Sequence, residues 1–444
     1  MKQKFKLTGL LFVFAFTAAF GQNRSLSLKQ AVQLGLENNV DILNAGLEKQ
    51  KSQSQFEEQQ SKRYPQLEAY SNFNYYYSIP KTVLPGEIFG QTGQISVEIG
   101  TTYDWSSGFS ASQILYNQSY STSLRLAREQ IHMEDLNLQQ KQEELVYQVS
   151  QVYALCQATK QQTDHLGVTL ENMERVLQLT ELQQKNGMIR KVDHDQVLVD
   201  QNNLQTQIDN LSRLYNEQIR LLKYLIGMDE ATPIDLSDSF DFSDEQLALF
   251  SADWDNRTEM QTIDQQIRIA DLSRKMNRQK YLPVLSGTAE YFYQGQRDKF
   301  DFFKGGNDKF FKVGYVGLRL SIPIFDGFEK RSKIRQDQLS LIQLQNTREN
   351  TLNYFNKELS DAQKQYDNNR LVVIRQQQNI QMAEENYRVY LLGYQQQTVS
   401  LADLLNAQNS LTEARLSCDN ALLQLKNAVL DLKKSRGELL EGFE

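Results

Sequence analysis

The chain has 444 residues, a formal net charge of −7 at pH 7 and a mean hydropathy of −0.57. The acidic balance argues against a nucleic acid as a partner. The two cysteines, Cys156 and Cys418, are too few for a disulfide framework in a chain of this size. Cys418 falls on an apolar heptad position, and we predict that both thiols are free and buried.

The N-terminus has the pattern of a secretory signal peptide. Three lysines among the first six residues precede an apolar run from Leu10 to Phe16, and the expected cleavage point follows Gly21. The run is too short for a membrane-spanning helix, so we expect residues 1–21 to be removed and the formal charge to change from −7 to −10. No run of eighteen apolar residues follows, so strands must make any crossing of a bilayer.

The prolines divide the chain into tracts of different character. All six fall at positions 65, 80, 85, 233, 283 and 323. Because proline is excluded from helix interiors, the tracts 117–228 and 324–444 are free to be helical along almost their whole length. Both are rich in Gln, Leu, Glu, Lys and Ala, which are good or fair helix formers. A helix from Asn117 toward Asn186 would be about 100 Å long at 1.5 Å per residue, far more than a globular domain needs.

The proline-bearing segments alternate with a period of two, which is typical of strands. Apolar, small or aromatic residues take one face and polar residues the other in three segments, 67–77, 285–293 and 316–322. A fourth segment, about 99–115, alternates less regularly but is rich in aromatic residues. We predict four strands in two hairpins. Aromatic residues near the strand ends, such as Trp105, fit a membrane interface. A soluble antiparallel sheet with one wet face alternates in the same way.

The chain is a tandem duplication. Tyr64-Pro65-Gln66-Leu67 corresponds to Leu282-Pro283-Val284-Leu285 at an offset of 218, and Gly227 corresponds to Gly437 at an offset of 210. Each half is predicted as helix, strand, strand, long helix, turn and long helix. The predicted segments are the signal peptide 1–21, a first-half N-terminal helix 22–63, β-hairpin 64–116, helical hairpin 117–228, equatorial linker 229–255, second-half helix 256–281, β-hairpin 282–323, and helical hairpin with a short C-terminus 324–444.

The last helix of each half carries an apolar heptad, and the two heptads are in phase at the offset of 210. The stripe is Val197, Gln201, Leu204, Ile208, Leu211, Tyr215, Gln218 and Leu222 in the first half and Ala407, Leu411, Ala414, Cys418, Ala421, Leu425, Ala428 and Leu432 in the second. This spacing predicts coiled-coil packing, although an ordinary pair of helices predicts the same stripe. The small residues of the second stripe favour a close approach of helices.

Four strands are too few to close a barrel, since small closed barrels need about eight. An open sheet edge in lipid would leave backbone groups unpaired, at a cost of several kcal/mol each. Several chains must therefore share one barrel if the hairpins enter a membrane. The helices would continue the same closed arrangement, with their polar faces toward water.

In order and spacing, the chain resembles the TolC family of outer-membrane efflux proteins. The matching stretches are Leu26-Ser27-Leu28, Asn38-Asn39, Tyr64-Pro65-Gln66-Leu67, Leu320-Ser321-Ile322-Pro323-Ile324-Phe325-Asp326-Gly327 and Leu401-Ala402-Asp403-Leu404-Leu405-Asn406-Ala407-Gln408. The resemblance implies a membrane α+β fold: a homotrimer with a shared twelve-strand β-barrel, four strands from each chain, continuous with a twelve-helix periplasmic α-barrel and an equatorial belt of shorter helices.

The resemblance also implies a passive exit duct in the outer membrane, with outer-membrane lipid around its barrel. Such ducts work with a periplasmic membrane-fusion adaptor and an inner-membrane pump, in tripartite efflux or type I secretion, and carry drugs, toxins, small molecules or proteins. They contain no catalytic residue, cofactor or metal.

The resemblance further implies a closure at the periplasmic end. Asp403 aligns with the first acid of an aperture ring, and Asn406 stands where a second acid often lies, so the ring carries half of the usual charge. Asp193 and Tyr394 align with a Tyr–Asp latch between the inner and outer coils. For Asp193 and Asp403, each near a predicted helix start, helix capping is an equally good interpretation.

The turns at the tips of the two helical hairpins are the expected docking place of the adaptor. They are marked by Gly187 in the first half and by Gln397 and Thr398 in the second. Gln397 replaces the glycine usual in the second turn, and Val399 occupies a place where some members of the family have arginine.

Two other classes of function fit less well. An enzyme is not expected, because the three histidines form no HExxH motif and the chain has no GxSxG motif and no P-loop. His194, beside Asp193, is interpreted as a solvated turn residue rather than a ligand. A soluble periplasmic coiled-coil adaptor or scaffold would explain the helices and heptads, but it leaves the duplicated aromatic hairpins without a purpose.

Overall fold

The computed structural model describes residues 24–90, 92–242, 254–304 and 310–443. The predicted signal peptide, 1–21, and part of the predicted linker, 243–253, lie outside these ranges. The chain divides into two compact units. We call Met1–Asn44, Gln140–Arg257 and Tyr354–Glu444 the helical unit, and Ala45–Gln139 and Thr258–Asn353 the sheet unit. Within the described ranges, no helix is both long enough and apolar enough to cross a membrane.

The long elements follow the same order in the two halves of the chain. The elements are β1 (Arg24–Leu26), α1 (Leu28–Asn38), α2 (Val40–Ser61), β2 (Gln66–Tyr75), β3 (Lys81–Pro85), β4 (Gln94–Glu98), β5 (Tyr103–Tyr116), α3 (Gln118–Lys185), α4 (Lys191–Leu225), β6 (Ile234–Leu236), α5 (Thr258–Gln279), β7 (Val284–Arg297), β8 (Phe311–Ser321), α6 (Glu329–Gln395) and α7 (Leu401–Arg436). α3 and α6 have 68 and 67 residues, and each is about 100 Å long, as the proline-free tracts predict.

The sheet unit contains a four-stranded antiparallel sheet in the order β2-β5-β7-β8. β2 with β5 and β7 with β8 form the two long hairpins, and β5 pairs with β7 to join them. One face carries exposed apolar residues, including Leu67, Val316 and Leu318, while Glu68 and Glu290 point to the other face. The alternation in the sequence is therefore the alternation between an apolar and a polar face of this sheet.

Some elements were not predicted. The strand expected near Ile99 begins at Tyr103, because residues 94–98 belong to a separate short hairpin of β3 and β4. Strand β2 ends at Tyr75, two residues before Tyr77. A parallel pair of β1 and β6 was also missed. These ladders are only three to five residues long, too short for a periodic pattern to stand out.

The segment 22–63, predicted as one helix, contains β1 and two helices that are separated at Asn39. The Asn39 backbone is extended, and its Oδ1 accepts a hydrogen bond from the backbone N–H of Asp41 at 2.9 Å. Its Nδ2 donates to the carbonyl of Leu225 at 2.9 Å, near the end of α4. Arg257 takes the corresponding place in the second half, just before α5. Its Nη1 donates to the carbonyl of Ser435, near the end of α7, at 3.1 Å.

The core of the helical unit follows the predicted heptads. Val197, Leu222, Ala428 and Leu432 are fully buried, and the other members of both stripes are buried or half-buried. Because apolar side chains at this spacing line one side of a helix, their burial holds α4 and α7 against their neighbours. Both cysteines are buried and free, as predicted.

Candidate functional site

The candidate site lies at one end of the helical unit, where α3 turns into α4 and α6 turns into α7. The two turns have the same backbone geometry. Gly187 has a φ of 71° and Gln397 a φ of 59°. In the first turn the N–H of Met188 donates to Gln183, and in the second the N–H of Thr398 donates to Gly393. This is the closing pattern of a helix C-terminus with a left-handed residue.

Gln397 adopts the left-handed conformation without the freedom of glycine, which costs about 1–2 kcal/mol. Two features support it. The Thr398 hydroxyl donates to the carbonyl of Gly393 at 3.0 Å, in addition to the backbone bond. A side chain at Gly393 would lie 2.5 Å from Cγ2 of Val399, so the absence of one lets Val399 close over the end of α6. The second turn is therefore held by its own contacts.

Asp193 is held at the start of α4 by Arg190. The Arg190 side chain donates twice to the carboxylate, from Nη2 to Oδ1 at 2.8 Å and from Nε to Oδ2 at 3.1 Å. The backbone N–H of Arg190 donates to Oδ2 at 3.2 Å. These hydrogen bonds from the Arg190 side chain lower the pKa of Asp193 and keep it ionised. In this chain Asp193 therefore acts at the N-terminus of α4, where it accepts the backbone N–H of Arg190, as the capping interpretation predicts.

Asp403 has the equivalent place at the start of α7. Ser400 caps the helix: its hydroxyl oxygen accepts from the N–H of Asp403 at 3.2 Å, and the hydroxyl donates to Oδ2 of Asp403 at 2.6 Å. Asp403 and Asn406 are both exposed and lie three residues apart, so they share one face of α7. Leu404 and Leu405, between them, face the core. The structure thus brings the two predicted ring residues together on one exposed face.

Tyr394 is buried near the end of α6, with only 5 % of its surface exposed. Its ring belongs to a cluster that includes Val197 and Leu404. The hydroxyl donates to Oε1 of Gln183 on α3 at 2.7 Å, not to Asp193. Burial first, and the charge of Asp193 second, raise the pKa of Tyr394, so the two predicted latch residues interact electrostatically without a direct hydrogen bond. Both line a recess of about 380 Å³ between the two turns.

Sequence reasoning missed Gln183, Arg190 and Ser400. The duplication held a signal for two of them, because Arg190 and Ser400 correspond at the offset of 210 and each stands three residues before an aspartate. That spacing is typical of a helix N-terminus. Gln183 had no comparable signal, because its partner Tyr394 lies 211 residues away in the chain.

The histidine beside Asp193 has a local partner. Nδ1 of His194 lies 3.3 Å from the hydroxyl oxygen of Thr180, on the neighbouring helix α3. In the described ranges of the chain, no group of three or more His, Cys, Asp or Glu residues is placed to hold a metal ion.

Comparison with known proteins supports this architecture. A membrane protein from Pseudomonas aeruginosa superimposes with a TM-score of 0.74 at 17 % identity, over 92 % of this chain and 93 % of that one. The CmeC outer membrane channel of Campylobacter jejuni gives a TM-score of 0.74 at 18 % identity, over 93 % and 85 %. The open state of the MtrE outer membrane channel of Neisseria gonorrhoeae gives 0.72 at 16 %, over 92 % and 88 %. At these identities the likeness shows the fold alone.

The family itself follows from sequence. No curated protein matches the chain. The family described as "Outer membrane efflux protein" matches residues 31–227 and 251–438, one stretch in each half of the duplication. These two stretches make up most of the chain, and they confirm the resemblance to TolC-type proteins. The chain belongs to the outer membrane efflux protein family, whose members are transport channels of the outer membrane with a large periplasmic helical part rather than enzymes.

Proposed function

We propose that the chain is the exit duct of a tripartite efflux or type I secretion system. In this role it passes drugs, toxins, small molecules or proteins from an inner-membrane pump to the exterior, without chemistry of its own. A periplasmic membrane-fusion adaptor joins it to the pump. The observation that carries the proposal is the open four-stranded sheet with its apolar face.

The sheet supports a homotrimer. β2 and β8, with 10 and 11 residues, are the edge strands, and each has a single neighbour among the described strands of this sheet. Open edges of this length in lipid would leave several backbone groups unpaired at several kcal/mol each. In the order β2-β5-β7-β8, β8 of one copy would run antiparallel to β2 of the next, so copies of the chain can close one barrel. The number of three copies, and with it the twelve strands, is taken from the resemblance to the TolC family.

Exposed apolar residues on α4 and α6 support the same assembly. On α4, Val192 and Val199 are exposed and one heptad apart, and on α6, Met382 and Val389 are exposed and one heptad apart. Exposed stripes of this spacing are suited to a coiled coil with another helix. We assign them to the contact between neighbouring copies, where three sets of four long helices form the twelve-helix periplasmic tunnel.

The proposed gate lies at the tip. Three copies of Asp403 form the aperture ring, and Asn406 adds a polar but neutral group beside each of them. Carboxylates in a narrow opening repel one another and attract cations. Asp193 and Tyr394, in the recess next to this ring, form the proposed latch, with Arg190 and Gln183 as their partners in the same chain. Movement of the two hairpins apart must break the bond between Tyr394 and Gln183.

The adaptor is proposed to dock on the turns marked by Gly187, Gln397 and Thr398. Crosslinking in cells tests this assignment. A Thr398→Cys variant carries one exposed thiol at the tip, while the native thiols are buried. Glu413→Cys, at an exposed site farther along α7, is the matched control. A crosslink from the tip position alone to a periplasmic protein that also binds an inner-membrane pump supports the proposal. Equal crosslinking from both positions, or none at the tip, contradicts it.

A further inference from the structure

A second cavity lies in the helical unit, far from the tip. It has a volume of about 300 Å³ and is bounded by α3, α6, α7, the C-terminal turn and the segment that follows β6. Its apolar lining includes Val146, Ala154, Leu425 and Val429. Lys426 is 26 residues from the start of α7 at Ser400, about 40 Å along the helix at 1.5 Å per residue. The cavity therefore belongs neither to the aperture nor to the docking turns.

Two lysines of α7 border the cavity beside its apolar lining. Lys426 and Lys433 are one heptad apart, so they lie on the same side of α7, and both border the cavity. Neither forms an ion pair with any residue in the part of the chain that the structure describes. The next residue, Lys434, differs: its Nζ lies 3.9 Å from Glu144 and over the ring of Tyr147. Lys434 is not among the residues that border the cavity.

Lys426 is partly buried and lies near two carboxylates, but neither of them forms a direct ion pair with it among the described residues. Burial lowers the pKa of Lys426, even though Asp241 and Asp238 both act to raise it. Oδ2 of Asp238 accepts the backbone N–H of Leu28 at 2.7 Å, which holds this carboxylate in place at the cavity wall. Nζ of Lys426 lies over the ring of Phe240, 5.3 Å from its centroid, so the ammonium has a cation–π contact on one side. A partly buried ammonium with no carboxylate in direct contact is costly, and an anion that enters the cavity and contacts Lys426 offsets that cost.

We propose that this cavity binds an amphipathic organic monoanion, with its aliphatic chain against Val146, Leu425 and Val429 and its head group between Lys426 and Lys433. The volume is at the small end of ligand pockets, which selects a short or medium chain. The charged side chains that border the cavity are Lys426, Lys433, Arg370, Asp238 and Asp241, and their formal sum of +1 suits a monoanion better than a dianion. Every contact is made by one chain, and the inference does not depend on the pump or the adaptor.

Chemical labelling of lysines in the assembled protein tests the proposal, with octanoate as the probe. Full-length protein in a non-ionic detergent is treated with a limiting amount of an acetylating reagent, and mass spectrometry gives the rate at each lysine. At an octanoate concentration of about four times its dissociation constant, acetylation of Lys426 and Lys433 falls about fivefold. Acetylation of Lys434, which is outside the cavity, stays unchanged.

Two related probes separate charge from apolar partition. Octanol and octylammonium have the same chain without the negative charge, and neither protects Lys426. Equal protection by octylammonium overturns the proposal. The proposal is also overturned if octanoate lowers the acetylation rate of Lys434 as much as that of Lys426, because octanoate then adsorbs non-specifically. A Lys426 that is not labelled even without octanoate also overturns it, because the cavity is then closed in the assembled protein.

Variants assign the binding to the two lysines. Lys426→Gln abolishes the protection of Lys433 by octanoate, and Lys426→Arg restores it because the charge returns. Lys434→Gln, the matched control, leaves the protection of Lys426 unchanged. If Lys426→Gln does not fold, the Lys433→Gln variant is used instead. In that variant octanoate no longer protects Lys426 from acetylation. Full protection in both single variants contradicts the proposed head-group site.

Discussion

The hydroxyl of Tyr394 donates a 2.7 Å hydrogen bond to Oε1 of Gln183, and this bond joins α6 to α3 beside the two turns. Tyr394 comes from the second half of the duplicated chain and Gln183 from the first. The bond therefore ties together the tips of the two helical hairpins. Tyr394 packs in the apolar cluster at the tip, whereas Gln183 is half-buried, so the bond is partly shielded from water.

We predict that Tyr394→Phe loosens the tip. The change removes the hydroxyl that donates to Oε1 of the half-buried Gln183, a cost of about 0.5–1.5 kcal/mol. In planar bilayers, the variant should have a higher single-channel conductance or more frequent opening than the wild type. Tyr390→Phe, one turn away on α6, is the control. Identical conductance for the wild type and both variants would show that the bond does not restrain the channel.

We predict that cation block depends on the exposed face of α7. Asp403→Ala removes the only carboxylate of the proposed ring and should weaken block by divalent cations about tenfold, which corresponds to about 1.4 kcal/mol. Asn406→Asp adds a carboxylate three residues away and should strengthen the block. Titration of the current with a divalent cation measures both effects. A block that is the same in all three proteins is incompatible with an aperture at this position.

We predict a pH dependence from the ion pair of Arg190 and Asp193. The pair lowers the pKa of Asp193 below its ordinary value of 3.8, so its stabilising effect is fully present above that value. The effect is lost as the pH falls through the lowered pKa. A double-mutant cycle of Arg190→Ala and Asp193→Asn, followed by thermal unfolding, should give a small favourable coupling at neutral pH that disappears in acid. A coupling free energy that becomes larger in acid would contradict the prediction, because protonation of Asp193 removes the ion pair.

We predict a large loss of stability for Arg257→Ala. The guanidinium is 2 % exposed, donates to Glu358 at 2.6 Å and to the carbonyl of Ser435, and lies 3.6 Å from the centroid of the Phe355 ring. Removal of one partner of such a buried pair costs about 3–5 kcal/mol. Denaturant unfolding measures the change.

Lys357→Ala is the control for this experiment, since it breaks an exposed pair with Asp361 on the same helix as Glu358. Exposed pairs contribute little, so this variant should unfold close to the wild type. Equal effects of the two substitutions would mean that the buried contacts of Arg257 with Glu358 and Ser435 stabilise the fold no more than an exposed ion pair does.

The parts of the fold that repeat at a fixed spacing were predictable from the sequence. The absence of proline allowed two very long helices, and the heptads identified the buried sides of α4 and α7. Alternation located the strands of the large sheet. These features follow from helix and strand geometry, which acts over neighbouring residues.

The features that depend on contacts between distant residues were not predictable. The break at Asn39 is fixed by a hydrogen bond to Leu225, 186 residues away. At the tip, the resemblance paired Tyr394 with Asp193, whereas in this chain the hydroxyl of Tyr394 contacts Gln183 and Asp193 contacts Arg190. Polar side chains that line one recess can form hydrogen bonds with several different neighbours, and sequence spacing alone does not determine which of these bonds forms.

The central claim is that copies of this chain complete one channel, and the mass of the purified protein tests it most directly. Light scattering in detergent, corrected for bound detergent, should give three copies of a chain that weighs 51.5 kDa before any processing. The same preparation should conduct ions in a planar bilayer. A single copy that stays in solution without detergent would contradict the account.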